Sequence, residues 1–510
     1  MLELSELIIL LAGLAFLLRL LIVIRDSVPF AYDMGRDLLW AKDIVFYKEP
    51  TLIGPAASIW GVYFGPLWYY FLSIPLFLSN GHPLSAVITV SLSLSLTGFL
   101  AYCWFHKYLS RFYALIFSII ILFSSQMINL SLFAFPANIT PILTLCMIYF
   151  LFLAVTKNPL FISASFLSVS LIYHTEPPSA VVFTFIPIFI FFYFKLYRTR
   201  KLFKIAAISF FAYVLPFTPQ ILFELRNNFI QTRSLLAYFA GNNPSLSGQL
   251  PFLPRILDRA GIFFELFKES VSPQSNIIAL LILLLIGFGL YHFIKTDRDK
   301  NLHILLKINV VSLLIIFIVF SVFITVEIKT WYLYGTFIFV AFLIVYALVG
   351  IRNKAAAVVF VVLFLGLNIF PYAKDERTAN AKNDPAQLSN QLAAIEYIYD
   401  DSQGKPFSVY VYTPPIYDFS YQYLFWWQGV RFKKGLPVDF AYLPNQPRYV
   451  RNKELYSNGK IASTIYLILE NSEQNEFYTK DSWLKNFDSY KLTKEIDING
   501  AITVRKLNGI

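Results

Sequence analysis

Residues 7–43 read LIILLAGLAFLLRLLIVIRDSVPFAYDMGRDLLWAKD, an apolar run that gives way abruptly to a charged segment. The run Leu7–Ile24 is long enough to cross a bilayer, which takes about 17–25 predominantly apolar residues. No small-residue cleavage site follows it, so we interpret it as a membrane span and not as a signal peptide. The fold is therefore expected to begin with a transmembrane helix that leads into a polar loop.

The composition of the whole chain agrees with a membrane protein. Of its 510 residues, 57% are hydrophobic and 14% are charged, whereas soluble domains usually hold about 25% charged residues. The net charge of +11 is compatible with nucleic-acid binding when taken alone. The basic residues, however, lie in short loops between apolar runs, as the positive-inside rule requires. The expected partner is membrane lipid, and we expect no nucleic acid.

Apolar runs recur along most of the chain. A spanning helix needs about 20 apolar residues, and about 17 suffice. Runs of this kind lie at residues 7–24, 84–104, 112–128, 139–155, 160–174, 179–194, 205–221, 276–294, 308–326, 333–350 and 355–371. The predicted fold class is an α-helical polytopic membrane protein with about eleven transmembrane helices.

The run Val62–Ser79 decides the topology. Its aromatic content, Pro66 and Pro75 suit a helix lying at the interface better than a spanning one. If it does not cross, the most basic loops all lie on the cytoplasmic side. These loops are residues 105–111, 156–159, 195–204, 295–307 and 351–354. The N-terminus is then cytoplasmic, while the loop 25–83 and residues 372–510 are extracytoplasmic.

The composition changes sharply after the last apolar run. We therefore divide the chain into a transmembrane domain, residues 1–371, and a soluble extracytoplasmic domain, residues 372–510. Short β-like runs in the second part are Ser408–Tyr412, Ile465–Leu469 and Ala501–Arg505. Asn499-Gly500 directly before the last run is a hairpin signal. The second part is expected to be a small α/β domain.

Three charged residues follow the first span at helical spacing. Asp33 and Asp37 are four residues apart and share a face if the segment is helical. A carboxylate just beyond a span, beside an aromatic interfacial segment, is well placed to act as a base on a substrate at the membrane surface. The competing interpretation is a solvated amphipathic helix in which Arg36 pairs casually with the two carboxylates.

A second group of ionisable residues is His174-Thr175-Glu176-Pro177-Pro178, at the outer end of a predicted span. Ionisable groups at a membrane mouth are costly to keep without a purpose. His174 and Glu176 therefore indicate sugar or acceptor recognition, or one pair of ligands of a metal site. The alternative is a helix end broken by two prolines, with both side chains at the wet interface.

Basic residues outside the membrane provide candidates for binding phosphate. Arg226 follows Glu224 after one predicted span, and with Arg233 it offers the planar, bidentate donors that suit phosphate. Lys329 precedes a late span and is a candidate for stabilising a leaving phosphate. The alternatives are an amphipathic surface helix for the first group and an interfacial anchor for Lys329.

Two motifs, together with the order of elements, resemble a known family. The segment Phe64-Gly65-Pro66-Leu67-Trp68-Tyr69-Tyr70 is similar to the His-Pro-Pro-Leu-Tyr-Tyr stretch of protein mannosyltransferase-like enzymes, glycosyltransferase family 39 in the broad sense. Residues 329–335 (KTWYLYG) are similar to the Arg-Tyr-Leu-Leu-Pro pattern that opens a late span in those enzymes. With the acidic motif after the first span, residues 1–371 resemble dolichyl-phosphate-mannose-type and aminoarabinose transferases.

The resemblance implies a type C glycosyltransferase fold and a polyprenyl-phosphate-linked sugar as donor. It also implies a catalytic acidic residue in the first external loop, which in this sequence is Asp33. Asp33 would deprotonate the hydroxyl of a lipid, glycan or protein acceptor, and polyprenyl phosphate would leave with inversion. The sequence departs from the family pattern at two places. An Asp-Glu pair is usual after the first span, whereas here Asp33 is followed by Met34. Gly65 stands where proline or histidine is expected.

The remaining candidate residues are predicted to bind substrate. They are Arg36, Asp37, Tyr63, Trp68, Tyr69, His174, Glu176, Glu224, Arg226, Lys329 and Tyr332. We expect a cavity between the outer ends of the spans, open sideways toward lipid. Its predicted lining is Asp33, Tyr63, Trp68, His174, Glu176 and Lys329. The sequence shows no His/Cys spacing of a known metal site, so no cofactor is certain, although a divalent metal is compatible with the candidates.

Two other classes of protein compete with a glycosyltransferase. A transporter or lipid flippase usually shows internal repeats and charged or broken helices near the bilayer midplane. The spans here are nearly free of charge, and the candidate residues gather at one face of the membrane, which favours surface chemistry. A non-catalytic envelope assembly protein, in contrast, would tolerate substitution of Asp33.

Overall fold

We describe the protein from a computed structural model, which covers residues 4–26, 28–240, 250–373, 383–444, 449–451, 453, 461–472 and 478–509. Helices dominate as far as residue 373, and the strands follow residue 407. The α-helices of the first part are α1 (Leu4–Asp26), α2 (Tyr32–Phe46), α3 (Leu67–Leu78), α4 (Leu84–Phe105), α5 (Ser110–Phe123), α6 (Ser125–Leu130), α7 (Thr140–Thr156), α8 (Ile162–Tyr173), α9 (Pro177–Tyr193), α10 (Leu202–Val214), α11 (Thr218–Arg226), α12 (Ile230–Phe239), α13 (Phe252–Val271), α14 (Asn276–Thr296), α15 (Lys300–Ile318), α16 (Phe337–Ile351) and α17 (Lys354–Ala373).

The second part contains helices α18 to α20 and strands β1 to β5. Their bounds are α18 (Leu388–Ser402), β1 (Ser408–Tyr412), α19 (Phe419–Trp426), β2 (Asp439–Ala441), β3 (Thr464–Glu470), α20 (Lys480–Leu484), β4 (Tyr490–Ile498) and β5 (Ile502–Gly509).

The chain is a multi-pass membrane protein. Among the described residues, 8 helical segments are long and apolar enough to cross a bilayer. They are Glu6–Arg25, Leu84–Phe105, Pro136–Thr156, Leu202–Arg226, Asn276–Thr296, Lys300–Phe323, Thr330–Ile351 and Lys354–Tyr372. The other predicted spans correspond to the shorter apolar helices Ser110–Phe123, Pro159–Tyr173 and Pro177–Tyr193. Each run predicted from hydropathy thus contains an apolar helix.

Helix α3 is shorter than each of the 8 long apolar segments. Its 12 residues extend about 18 Å at 1.5 Å per residue, against a hydrocarbon core of about 30 Å. It packs beside α2 through Trp68, whose indole nitrogen donates a hydrogen bond to Asp37 at 2.8 Å. The prediction that Val62–Ser79 lies at the membrane surface agrees with this short helix.

The loop after α1 and the C-terminal part lie on the same side of the membrane helices. The amide of Leu388 donates to the carbonyl oxygen of Val28 at 2.9 Å, and the amide of Phe30 donates to Ala386 at 2.6 Å. Gly35 in α2 packs so closely on α19 that a Cβ there would lie 2.4 Å from the backbone nitrogen of Ser420. An odd number of spans between the two regions would separate them, so the contacts agree with a non-crossing α3.

The five strands found in the described residues form one mixed sheet in the order β2-β1-β3-β5-β4. Strands β2, β1 and β3 are parallel, whereas β5 runs antiparallel to β3 and β4. The β4–β5 hairpin turns at Asn499 and Gly500, with φ of 55° and 70°, as the Asn-Gly signal predicted. The predicted small α/β architecture is confirmed. Strand β2 was missed because a three-residue strand gives too little alternation to recognise.

The span predicted at 112–128 is interrupted at Ser124, which has extended backbone (φ −60°, ψ 137°). Tertiary hydrogen bonds replace the lost helical ones: the Ser124 hydroxyl donates to the carbonyl of Ser270 at 2.9 Å, and the Ser125 amide donates to Asn368 at 2.8 Å. Arg19 of α1, fully buried, donates to the carbonyl of Leu122 at 2.7 Å. A buried arginine therefore satisfies a carbonyl group that the break leaves without its helical partner.

Candidate functional site

Helix α2 carries the acidic motif and begins directly after an extended residue, Ala31. Asp33 lies in its first turn, where the helix dipole favours a negative charge. Arg36, one turn later, bridges the two carboxylates: its guanidinium nitrogens lie 2.9 Å from Asp33 Oδ1 and 2.8 Å from Asp37 Oδ1. The predicted pairing within α2 is present, and it holds Asp33 through one ion pair.

The two carboxylates differ in exposure. The Asp33 side chain is 51% exposed and the Asp37 side chain 1%. Asp37 accepts hydrogen bonds from Arg36 Nε at 2.9 Å and from Trp68 Nε1 at 2.8 Å. Burial raises the pKa of Asp37 to about 6, although Arg36 and Trp68 act in the opposite direction. Asp37 is therefore ionised at neutral pH and anchors Arg36, while Asp33 stays accessible to solvent.

Trp68 and Tyr69 support this arrangement from α3. Both side chains are buried, with relative exposures of 0% and 1%. The Tyr69 ring stacks on Trp40 of α2 with centroids 5.5 Å apart, and its phenol interacts with Arg36. The structure thus places these two predicted substrate-binding residues behind the charged turn of α2, where they position it.

The turn before α3 joins this site to the second predicted group. A Cβ on Gly65 would lie 1.9 Å from Nδ1 of His174, and a Cβ on Gly54 would lie 2.2 Å from the carbonyl oxygen of Gly65. Only glycine fits at either position. The imidazole of His174 thus occupies the space that a larger residue at position 65 would need, which accounts for Gly65 at that departure from the family pattern.

Glu176 is a buried carboxyl group. Burial shifts its pKa, and no charged side chain of the described residues adds to that shift. The residue is 1% exposed, and its Oε1 has no hydrogen-bond partner in the described structure. Burial raises the pKa of Glu176 to about 8. The carboxyl group is therefore protonated at neutral pH, when it can donate a hydrogen bond to an incoming oxygen.

Tyr332 connects Glu176 with a cavity. Its phenol lies close enough to Glu176 and to Tyr238 of α12 to interact electrostatically with both. Tyr238 lines a cavity of about 510 Å³ between α12 and the tip of the first external loop. Among the described residues, its lining is Ile59, Trp60, Ile230, Arg233, Ser234, Ala237 and Tyr238.

This lining includes none of the six residues that we expected from the sequence. Lys329 forms an ion pair with Glu327 at 2.7 Å, and both side chains are exposed. The structure records no ion pair between Lys329 and Asp33 in the part of the chain that it describes. Trp60, 82% exposed, and Tyr238 had no sequence signal, because only the fold brings the loop tip to α12.

The remaining candidates organise the walls of this region. The amide of Tyr63 donates to Gln231 at 2.9 Å, and its ring packs against Phe223 at 5.7 Å, so Tyr63 docks the first external loop on α11 and α12. Glu224 accepts hydrogen bonds from the backbone of Gln231 and Thr232 at 2.9 and 3.0 Å, which caps the start of α12. Arg226 is exposed at the end of α11.

Metal ligands are not grouped in the residues described by the structure. Within those ranges, no three His, Cys, Asp or Glu side chains lie together in a way that could hold a metal ion. His174 and Glu176 alone fall short of a closed ligand set, since zinc sites in proteins usually take three or four protein ligands.

Comparison with known proteins defines the class of fold. No protein-family model and no curated protein matches this sequence. Solved structures do match: ArnT from Cupriavidus metallidurans, bound to undecaprenyl phosphate, is 12% identical, with a TM-score of 0.55 and coverage of 98% of both chains. The same enzyme in the apo state is 12% identical, with a TM-score of 0.57 and coverage of 98% of this chain and 97% of that one.

The chain therefore has the type C glycosyltransferase fold. The likeness extends over the membrane helices and the C-terminal sheet, because almost the whole of both chains is aligned. At 12% identity the match establishes the fold, and function has to be argued from the site itself.

Proposed function

We propose that the protein is a membrane glycosyltransferase that transfers a sugar from a polyprenyl-phosphate donor to an acceptor hydroxyl at the outer face of the membrane. The observation that carries this proposal is Asp33, an exposed carboxylate in the first turn of the helix after α1. Arg36 holds it in place, and buried Asp37 anchors Arg36. A neighbour in fold, ArnT, was solved bound to undecaprenyl phosphate, which supports a lipid-linked donor.

The proposed reaction uses Asp33 as general base. Asp33 takes the proton of the acceptor hydroxyl while that oxygen attacks the anomeric carbon of the donor sugar. The bond between the anomeric carbon and the phosphate oxygen breaks, and its electron pair leaves with polyprenyl phosphate. Attack opposite to the leaving group inverts the anomeric configuration.

The cavity beside α12 is proposed to receive the phosphate of the donor. Arg233 lines it, and a guanidinium group offers bidentate donors to phosphate oxygens. Tyr238 and Tyr332 lead from this cavity to Glu176. Glu176 does not line the cavity, so it is proposed to act on the phosphate through Tyr332, whose phenol interacts with Glu176 and Tyr238, as negative charge builds up.

Glu176 gives this proposal a pH signature. Transfer by the unmodified chain is expected to fall as the pH rises through about 8, because the carboxyl group then loses its proton. Glu176→Gln keeps a neutral donor of the same size, so it should retain activity near pH 7 and show a flatter profile to pH 9. The profile of kcat/KM from pH 6 to 9 tests this. A Glu176→Gln variant that is folded but inactive at pH 7 would show that the carboxylate itself is required.

The orientation in the membrane is also proposed, with the N-terminus cytoplasmic and the C-terminal part extracytoplasmic. Single cysteines at Lys201 and at Lys491, both exposed positions, test it in cells with a membrane-impermeant maleimide. The native Cys103 and Cys146 lie inside apolar helices and are replaced by serine in both variants. We expect labelling at position 491 only. Labelling at position 201 in intact cells would contradict this orientation and indicate the opposite one.

The choice of donor tests the function itself. Membranes that contain the chain are supplied with radiolabelled sugars, either as polyprenyl-phosphate derivatives or as nucleotide derivatives. We expect incorporation from a lipid-linked donor, and none from nucleotide sugars once endogenous lipid carriers have been removed. Incorporation from nucleotide sugars under those conditions would exclude the proposed donor class.

A further inference from the structure

A group of aromatic side chains lies between the C-terminal part and α2. We define the aromatic ledge as Tyr32, Tyr417, Phe419, Tyr442 and Tyr449. The ring of Tyr417 lies 5.2 Å from Tyr449 and 5.6 Å from Tyr442, measured between centroids. Phe419 lies 5.7 Å from Tyr449 and 5.0 Å from Tyr32. Tyr417 is 42% exposed and the other four side chains are half-buried, so the ledge is reached from the side of Tyr417.

The ledge sits at the carboxyl ends of the parallel strands. Tyr442 follows β2 directly, Tyr417 lies in the connection from β1 to α19, and Phe419 is the first residue of α19. In open α/β sheets, ligands bind in the crevice outside the carboxyl ends of the strands. The location is thus one where this type of sheet commonly presents a binding site.

Buried carboxyl groups hold one ring of the ledge, Tyr449, and the chain next to the others. Asp418 accepts hydrogen bonds from the hydroxyl of Tyr449 and from Gln422 Nε2, the second at 3.0 Å. Glu470 accepts from Thr413 at 2.6 Å and from Tyr421 at 3.0 Å. These bonds fix the connection between β1 and α19, so a ligand would meet rings that are already ordered and would pay little entropy for ordering them.

The ledge lies next to the proposed base, Asp33. The guanidinium of Arg36 lies 5.7 Å above the ring of Tyr32. The phenol of Tyr32 interacts electrostatically with Asp33 and with Tyr417. An acceptor hydroxyl within hydrogen-bond reach of Asp33 would therefore place the rest of the acceptor beside these rings.

We propose that the aromatic ledge binds a sugar ring of the acceptor, so that the acceptor presents an uncharged saccharide. The inference rests on the proposed function and assigns its acceptor class. A sugar ring has a C–H face that packs on an aromatic face and a rim of hydroxyls that bonds to phenol groups. Tyrosine offers both surfaces in one side chain. The ledge consists of aromatic side chains, and Arg36 beside it is paired with two carboxylates, which favours a neutral saccharide over an anionic group.

The test uses the full chain in proteoliposomes, with a polyprenyl-phosphate sugar as donor. The acceptor probes are octyl glycosides of glucose, mannose, galactose and N-acetylglucosamine, compared with a serine- and threonine-containing peptide. Tyr417→Ala is expected to raise the KM for the preferred glycoside about tenfold with little change in kcat, because stacking on the exposed ring is lost. Phe432→Ala, which removes an exposed ring away from the ledge (56% exposed, against 42% for Tyr417), is the control and should leave the KM unchanged.

Two outcomes would overturn the inference. One is an unchanged glycoside KM in both Tyr417→Ala and Tyr442→Ala, measured on folded protein. The other is transfer to the peptide but to none of the glycosides, which would point to a protein acceptor. The proposed function is tested separately from the ledge by measuring whether the unmodified chain hydrolyses the donor when no acceptor is added. If the donor is never consumed, the proposed function fails, and the assignment of the ledge fails with it.

Discussion

Asp33→Asn is expected to lower sugar transfer at least about a hundredfold, the low end for general-base catalysis. Asparagine keeps the size and polarity of the side chain but cannot take the proton of the acceptor hydroxyl. The fold should survive, because the lost ion pair with Arg36 is half-exposed and such pairs contribute about 0–1 kcal/mol. The measurement is the initial rate of transfer from a polyprenyl-phosphate sugar, at matched expression and matched melting temperature.

The matched control is Glu265→Gln in α13, which changes a carboxylate that is also 51% exposed and also forms an ion pair with a basic residue three positions away, Lys268. Loss of transfer in Asp33→Asn but not in the control would assign the base. Near-normal transfer by a well-expressed Asp33→Asn variant would leave α2 without a base. It would also favour the interpretation of the chain as a transporter or as an assembly protein.

Asp37→Ala is expected to damage the fold more than the chemistry. It leaves the guanidinium of Arg36 and the indole N–H of Trp68 without their buried partner. Breaking a buried charge pair by removing one member costs about 3–5 kcal/mol, so the free energy of unfolding should fall by that amount. Thermal unfolding of the purified protein in detergent measures the change as a lower melting temperature.

Asp37→Asn separates the two contributions, because it keeps an acceptor for Trp68 while losing the charge. It should be destabilised less than Asp37→Ala and should keep more activity than Asp33→Asn. An Asp37→Ala variant with an unchanged melting temperature would show that Asp37 does not anchor Arg36. In that case the different roles assigned to the two carboxylates would have no basis.

The membrane helices were predictable because hydropathy is a local property. Each apolar run contains an apolar helix, and the Asn499-Gly500 hairpin follows from the backbone preferences of two residues. The break at Ser124 and the buried side chain of Arg19 were not predictable. Both depend on hydrogen bonds between helices that are far apart in sequence, which no local pattern records.

The candidate site, too, was only partly predictable from the sequence. Helical spacing predicted that Asp33 and Asp37 share a face, and the two carboxylates do bind the same arginine. Which carboxylate is buried depends on Trp68 of α3, so spacing alone could not decide it. The aromatic ledge had no sequence signal, since Tyr32 and Tyr417 are brought together only when α19 packs on α2.

The most direct test of the account is to follow the donor phosphate itself. Phosphorus NMR of proteoliposomes that contain the purified chain, a polyprenyl-phosphate sugar and an octyl glycoside separates the phosphodiester of the donor from free polyprenyl phosphate. With the unmodified chain, we expect the phosphodiester signal to be replaced by the signal of the phosphomonoester. With Asp33→Asn, the replacement should be at least about a hundredfold slower. Persistence of the phosphodiester with the unmodified, folded chain across a panel of donor sugars would contradict the account.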